Sequence, residues 1–412
     1  MSLSLDTPVT FLDPYNADPE TEWRRLRELG HLVPIELDGA VRTWATADHA
    51  TAERVFTSPA FSKDPKHWAA FQQGHIPEGW PLLPLITMKS MLNREGEDHT
   101  RLRALLAKAF TPRRIELLRP MIEDMAGQLL DSLETADGVV DLRRQYAFAL
   151  PMGVISHLFG VDADTDRDLL AAHYGAVISS QSTPLQVQHA QAGLGQVIGK
   201  LIETKRTHPG DDLTSALIAA RDGEDRLNDE ELVETLLLML FAGHETSKNL
   251  ITNAVRSLLE HPDQIAAARS AATAGWSHAA VEETLRWRSP IRVVMFYYAT
   301  QDVWMDGVLV QQGEPVLIYV AATGRDTARF GPDAEEFKPD RTDAARHLSF
   351  ARGVHYCIGA PLGRMTASIA LQALFSRFTV ACEDLSDLTE EWTYASNSVQ
   401  ALPVTLTVMA PV

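Results

Sequence analysis

The sequence predicts a mostly α-helical protein with small β-sheets. Apolar residues recur at three- and four-residue spacing along most of the chain, the signature of amphipathic helices. Two Asp-Gly pairs, Asp38-Gly39 and Asp306-Gly307, stand between apolar or β-branched runs, the strongest short hairpin signal. No repeat, low-complexity tract or linker interrupts the 412 residues, and 45% hydrophobic with 22% charged content suits a large buried core.

From the N-terminus, the periodicity predicts helices over residues 19–28, 47–57, 99–108, 112–135, 148–160 and 163–180. Further helices follow over 184–207, 211–221, 228–261, 262–274 and 277–287. The long one starts at Asn228, with Glu231 placed three residues on to close a capping box. A last helix runs from 360 to 378, where Leu362, Met365, Ile369, Leu371, Leu374 and Phe375 fall at helical spacing. Strands are confined to residues 33–46 and 302–320, each broken by its Asp-Gly turn, and to a C-terminal hairpin over 389–409.

The formal net charge of −18 argues against general nucleic-acid binding and for solubility. The N-terminus lacks the basic and apolar regions of a signal peptide, and the longest apolar run, 236–243, is too short to span a bilayer. Two cysteines without a framework agree with a reducing compartment, so the expectation is a cytoplasmic protein with no membrane association. Against the acidic background, Arg101, Arg103, Lys108, Arg113 and Arg114 form a local basic cluster, which by itself reads as a solvated helix face. Two familiar signatures fail: Gly193-Leu-Gly195 places its next glycine, Gly199, one position late for a dinucleotide loop, and His244-Glu245 lacks the second histidine of a zinc protease helix.

The most informative stretch is Phe350-Ala-Arg-Gly353-Val-His355-Tyr-Cys357-Ile-Gly359. It sets one cysteine at the mouth of the last helix, where the helix dipole and free N–H groups favour thiolate over thiol. Gly353 permits a turn with positive φ, and Gly359 removes a side chain where a flat ligand would need the backbone close. A planar metal cofactor fits that description. The residues Phe350, Gly353, His355, Cys357 and Gly359 resemble the haem-binding loop of the cytochrome P450 family, in particular its soluble bacterial, actinomycete-like members. The resemblance covers essentially the whole chain and implies a triangular prism-shaped single domain, residues 1–412, holding haem b with Cys357 as the axial thiolate on iron. Such a ligand pushes electron density onto the metal and favours O–O cleavage.

Further assignments come with the resemblance. Ala242-Gly243-His244-Glu245-Thr246-Ser247 interrupts an apolar helix with an acid and two hydroxyls. In the family this place carries a helix distortion over the haem; Thr246 would hold dioxygen or a water beside it, and Glu245 would pass protons. From the residues alone, Thr246 could equally bond back to a carbonyl one turn earlier. His99 and Arg103, on one helix face, together with His355 would clamp the haem propionates. Where the family usually has a further propionate arginine this chain has Tyr297, with Arg292 earlier in the strand. Glu283 and Arg286, with Arg341 downstream, would form a structural network; Gly324-Arg325-Asp326 departs from the commoner Asn-Arg-Asp.

By family position the substrate pocket is expected from residues 66–91, 179–184, Leu238, Phe241, Ala242, residues 293–296 and the turn near Ser398. Its apolar members are Trp80, Leu82, Leu83, Leu85, Ile86, Phe241, Val293, Val294, Met295 and Phe296, which suits a hydrophobic small molecule. The implied function is a monooxygenase that hydroxylates a steroid, terpenoid, polyketide or macrolide with dioxygen. No flavin or nucleotide segment follows the haem loop, so the electrons are expected from a separate ferredoxin and ferredoxin reductase docking on the basic cluster of a monomer. Two alternatives stay open at this point: haem-catalysed rearrangement or oxidative ring closure, and non-catalytic haem binding.

Overall fold

The structure is a computed structural model; it describes residues 4–409 except 8, 13–17, 137, 162–163, 179–181, 221–226, 266–274, 392 and 394. Helices dominate. The longest, Asp229–Glu260, begins at an Asn228 cap whose side chain takes the Glu231 N–H while the Glu231 carboxylate takes the Asn228 N–H. The helix Pro184–Thr207 matches its expected span, and Ala360–Arg377 and Trp276–Trp287 match within one residue at each end.

Four expectations of the fold change. Strands are not confined to the expected spans: Thr10–Phe11, Phe61–Ser62, Val139–Asp141, Val294–Ala299 and Phe378–Ala381 form as well, because long-range pairing and not local pattern makes these short segments extended. The span 112–135 divides into Pro112–Leu117 and Arg119–Glu134, because Pro120 has no N–H to continue the ladder and instead takes the first turn of a new helix. The helix Ala149–Phe159 is preceded by a π-helical stretch, Arg143–Phe148, and ends at Gly160 with φ 74°, a left-handed cap that glycine adopts without strain. The C-terminal strand Pro403–Val408 does not pair with the segment just before it. It runs antiparallel to Phe378–Ala381 and Val139–Asp141, and only an isolated bridge, Glu390 to Val399, remains of the expected hairpin. Most of the expected helix 262–274, and the ends of those at 163–180 and 211–221, fall outside the described residues.

Both Asp-Gly hairpins form. Val33–Leu37 pairs antiparallel with Val41–Thr46 around Gly39 at φ 75°, and Val303–Met305 pairs with Val308–Val310 around Gly307 at φ 83°. The first joins a six-stranded sheet ordered Thr10–Phe11, Val33–Leu37, Val41–Thr46, Pro315–Ile318, Val294–Ala299, Phe61–Ser62. The last pairing sets Ser62 opposite Tyr298, which brings Lys63 alongside Tyr297.

The long helix joins two cores. Its N-terminal half packs Leu236 and Leu240 against Phe159, Leu170 and Tyr174. Its C-terminal half packs Leu250, Ala254 and Leu258 against Leu285, Leu371 and Phe375 of the neighbouring helices. Each fully buried leucine contributes about 2 kcal/mol relative to exposure. Residues 242–247 lie between the cores, where the helix faces a cavity.

A buried ion pair ties this scaffold together. Arg286 Nε and Nη2 donate to Glu283 Oε2 and Oε1 at 2.7 and 2.6 Å, with both side chains fully buried. Arg286 also donates to the carbonyls of Gly324, Ala334 and Glu336. Arg341 approaches Glu283 Oε1 at 3.9 Å, the position expected of it. Gly324 is explained here: a Cβ would fall 1.8 Å from the Arg286 carbonyl oxygen, so the usual asparagine does not fit this backbone. Among the described residues no helix is long and apolar enough to cross a membrane.

Candidate active site

The cysteine loop is built by its backbone. Gly353 has φ 71° and opens the short turn Gly353–His355; a Cβ there would lie 2.6 Å from the Phe56 carbonyl oxygen, which excludes any larger residue. The Cys357 N–H donates to the Phe350 carbonyl at 3.0 Å, closing the loop. Arg364, one turn into the last helix, lies 4.5 Å above the Phe350 ring and pairs with Glu282, so the loop is clamped against the Trp276–Trp287 helix. Gly359 has an ordinary φ of −81°, and a Cβ there would make only normal contact with the cysteine Sγ. Its use is the room it leaves, since it lines the cavity together with Phe350, His355 and Cys357.

That cavity measures about 410 Å³, and Cys357 is exposed to it. Burial pushes the Cys357 thiol up, opposed by the N–H groups of Gly359 and Ala360 and by the Arg103 and Arg364 charges. The helix-terminal bias read from the sequence is present but loses to desolvation. The same cavity is lined by Ala242, Gly243, Thr246 and Ser247. The long helix runs unbroken through them, without the expected distortion, because the Thr246 hydroxyl donates to the Ala242 carbonyl at 2.7 Å and satisfies it within the α-helical frame. Thr246 lines the cavity; Glu245 does not. Its carboxylate turns to the Lys248 ammonium at 2.7 Å and accepts from the Tyr174 hydroxyl at 3.4 Å. His244 is fully buried between Phe148 and Tyr174, and burial lowers its pKa to about 4, so the imidazole is neutral.

One end of the cavity is basic. His99, Arg103 and His355 all line it, as does Tyr297. Arg103 Nη2 donates to the Tyr356 carbonyl at 2.7 Å, and His355 Nε2 meets Glu95 Oε1 at 2.8 Å. The His99 and His355 rings lie 4.4 Å apart. Burial first, then the His355 charge, pushes His99 down to about 4. A fourth group was not foreseen: Lys63, 3% exposed, lines the same wall with its Nζ 4.7 Å above the Tyr297 ring and a hydrogen bond to the Met295 carbonyl. No carboxylate among the described residues lies within ion-pair distance of it. Arg292 does not line the cavity; it reaches the Glu391 carbonyl at 3.4 Å instead. His99 Nε2 also has no hydrogen-bond partner among the described residues. A buried ammonium without a counter-charge and a buried imidazole nitrogen without a hydrogen bond would each be costly, and together they fit an anionic group of a bound cofactor.

A model of the family described as Cytochrome P450 matches residues 182–272 and 277–402. The chain belongs to the cytochrome P450 family. It is a P450 monooxygenase, and the family's cofactor, haem b, suits a cavity with one cysteine in its wall and a basic end. The 2-hydroxy-5-methyl-1-naphthoate 7-hydroxylase of Streptomyces carzinostaticus is 41% identical over 89% of each chain. The P450 monooxygenase PikC of Streptomyces venezuelae is 37% identical over 90% of this chain and 86% of its own. The testerone-bound CYP154C4 structure from Streptomyces sp. ATCC 11861 superposes with a TM-score of 0.90 at 39% identity, covering 98% of this chain and 99% of that one.

The pocket of this P450 differs in part from the sequence expectation. Leu85, Ile86, Leu238, Val293, Val294 and Met295 line it. Trp80 and Phe296 do not: their rings stack 6.1 Å apart in the core of the six-stranded sheet, with Leu82 and Leu83 against them. Phe241 packs on Tyr174, and Ser398 donates to Asn253; Ala395 lines the cavity in its place. Residues 179–181 lie outside the described set. Pro151, Val154 and Ile155 complete the wall, from a helix whose apolar face gave no sign of which residues it would offer to a ligand. In the basic cluster, Arg101 pairs with Glu231 and Arg103 turns inward; Lys108, Arg113 and Arg114 are exposed, as is Leu117.

Proposed function

We propose that this P450 inserts one atom of dioxygen into a C–H bond of a lipophilic small molecule of the steroid, terpenoid, polyketide or macrolide class. The observation that carries this reading is a single cavity lined by a cysteine, a threonine and many apolar side chains. Bound haem supplies the activation of dioxygen, and thiolate ligation favours O–O cleavage. Cys357 would hold the metal, and coordination would fix the thiolate that burial alone disfavours. His99, Arg103, His355 and Lys63 would hold the propionates; Lys63 would take the role left open by Tyr297, whose ring seats the ammonium. Phe350 and Gly359 line the cavity beside the cysteine, Gly353 turns the loop, and Ala242 would leave room for the cofactor.

Thr246 would turn its hydroxyl from the Ala242 carbonyl to dioxygen and give up its proton there, and the Glu245 carboxyl would return one to the threonine oxygen. The apolar walls exclude water and hold the substrate by burial. Naphthoates and testerone, the compounds in the names of two relatives, are the first to test. Supplied with electrons and oxygen-18 dioxygen, the protein is expected to return a product carrying one labelled oxygen; an unlabelled, rearranged product would contradict this.

Electrons come from a ferredoxin and its reductase, and the exposed Lys108, Arg113 and Arg114 suit an acidic donor. Reversing all three to glutamate should slow reduction at low salt by roughly tenfold and flatten its salt dependence. A wild-type rate that ignores ionic strength would remove the electrostatic docking.

A further inference from the structure

Several polar groups on the cavity wall are already engaged. The Thr246 and Ser349 hydroxyls donate to the carbonyls of Ala242 and Leu285, and Lys63, His99, Arg103 and His355 are the groups assigned to the propionates. Asn93 is different. It closes the short turn Met91–Asn93, lines the cavity and is 6% exposed. Its Nδ2 donates to the Leu85 carbonyl at 2.6 Å and to the Met88 carbonyl at 3.2 Å. Two carbonyl acceptors require the NH2 end of the amide at that place, which fixes the orientation of the group. Both amide hydrogens are thereby spent on the segment Leu83–Thr87 and the residue after it, and this segment carries Leu85 and Ile86 into the cavity wall. The Asn93 Oδ1 atom accepts no hydrogen bond from any described residue.

A buried amide oxygen without a donor is costly, so this one calls for a partner in the cavity. Haem does not supply it, because the propionates are acceptors themselves and present no hydrogen that Oδ1 can receive. Ser247 and Thr366 also line the cavity, but a hydroxyl turns to donate or to accept and selects neither kind of group. Oδ1 can only accept. Charge narrows the partner further. No aspartate or glutamate is among the described residues that line the cavity, and the charged side chains on its wall are all basic, so an ionised amine would find no counter-charge there. We propose that Asn93 is a specificity-determining residue whose Oδ1 accepts a hydrogen bond from the substrate, and that the substrate is a neutral lipophile bearing a hydroxyl or an amide N–H. The same side chain joins recognition to the shape of the pocket. A donor bound to Oδ1 polarises the NH2 group and strengthens its bonds to the Leu85 and Met88 carbonyls.

The proposal rests on the reading of this cavity as the site of a lipophilic substrate, and the test separates the two. Dissociation constants are measured by equilibrium dialysis on the haem-loaded protein, wild type and Asn93→Ala, for two pairs of probes. Testosterone and androstenedione differ only by a hydroxyl or a carbonyl at one carbon; 2-naphthol and 2-methoxynaphthalene differ by a hydroxyl or its methyl ether. In wild type the donor of at least one pair should bind about tenfold more tightly than its partner, because the partner displaces water from Oδ1 and returns no hydrogen bond. This ratio needs no variant to fold. Asn93→Ala also frees the Leu83–Thr87 segment, which weakens both members of a pair alike, so the readout remains their ratio, and it should fall to near one. Equal affinity within both pairs in wild type, or a preference that survives in Asn93→Ala, would overturn the recognition role and leave the lipophilic site in place. If no probe binds, the lipophilic-site reading fails and the proposal fails with it.

Discussion

Replacing Arg286 with leucine is expected to cost about 3–5 kcal/mol, a large share of the 5–15 kcal/mol that holds an ordinary domain together. Glu283, fully buried, would lose the bidentate partner that offsets its desolvation. The carbonyls of Gly324, Ala334 and Glu336 would lose their donors at the same time. Arg341, 3.9 Å from Glu283, is too committed to Asp333 and to the Phe330 and Asp333 carbonyls to replace it. Arg286→Lys should fail almost as badly, because an ammonium has three donors and no planar fork to match a carboxylate and three carbonyls. Denaturant unfolding of Arg286→Lys, with recovery of folded Arg286→Leu as a second measure, checks this. A midpoint within error of wild type would mean that the network does not support the cysteine loop.

Replacing Thr246 with alanine is expected to leave the fold intact and disconnect electron use from product. The hydroxyl makes only the bond to the Ala242 carbonyl, and alanine is the better helix former, so stability should change by less than about 1 kcal/mol. Product per electron should fall by about tenfold or more, with the missing electrons recovered as hydrogen peroxide, since general acid assistance is commonly worth 10²–10⁴ in rate. Glu245→Gln should produce the same imbalance by a different path, losing the proton while keeping the hydroxyl. The measurement is a balance of electrons consumed, product and peroxide. Unchanged product per electron in Thr246→Ala would remove that hydroxyl from the reaction.

Much of this was legible in the sequence where local rules decide. Asn228 and Glu231 announce the start of the long helix because a capping box needs only four consecutive residues. Asp38-Gly39 announces its hairpin because the positive φ of the turn is a property of glycine itself. The cysteine loop was legible because its glycines, ring and thiol sit within ten residues. What stayed hidden depends on distant pairing. A lysine at position 63 reads as a surface residue until Ser62 pairs with Tyr298 and carries it to the cavity wall. Lys248, three residues after Glu245, reads as a solvated helix pair; its position inside an apolar span was the available sign of burial. Glu391 gives no local signal, because its partners Arg143, Lys248 and Ser396 come from three separate segments. Trp80 and Phe296 were misplaced for the converse reason. An apolar residue near a pocket in sequence can face either the ligand or the sheet behind it, and here the rings face the sheet.

The central claim is that Cys357 holds a haem iron through its thiolate at the wall of an apolar cavity. The absorption spectrum of the dithionite-reduced protein before and after carbon monoxide, in wild type and in Cys357→Ser, tests it most directly. The account predicts a Soret band strongly shifted to the red in wild type and absent in Cys357→Ser. A wild-type protein that retains no haem, or a red-shifted band that survives the loss of Cys357, would contradict it.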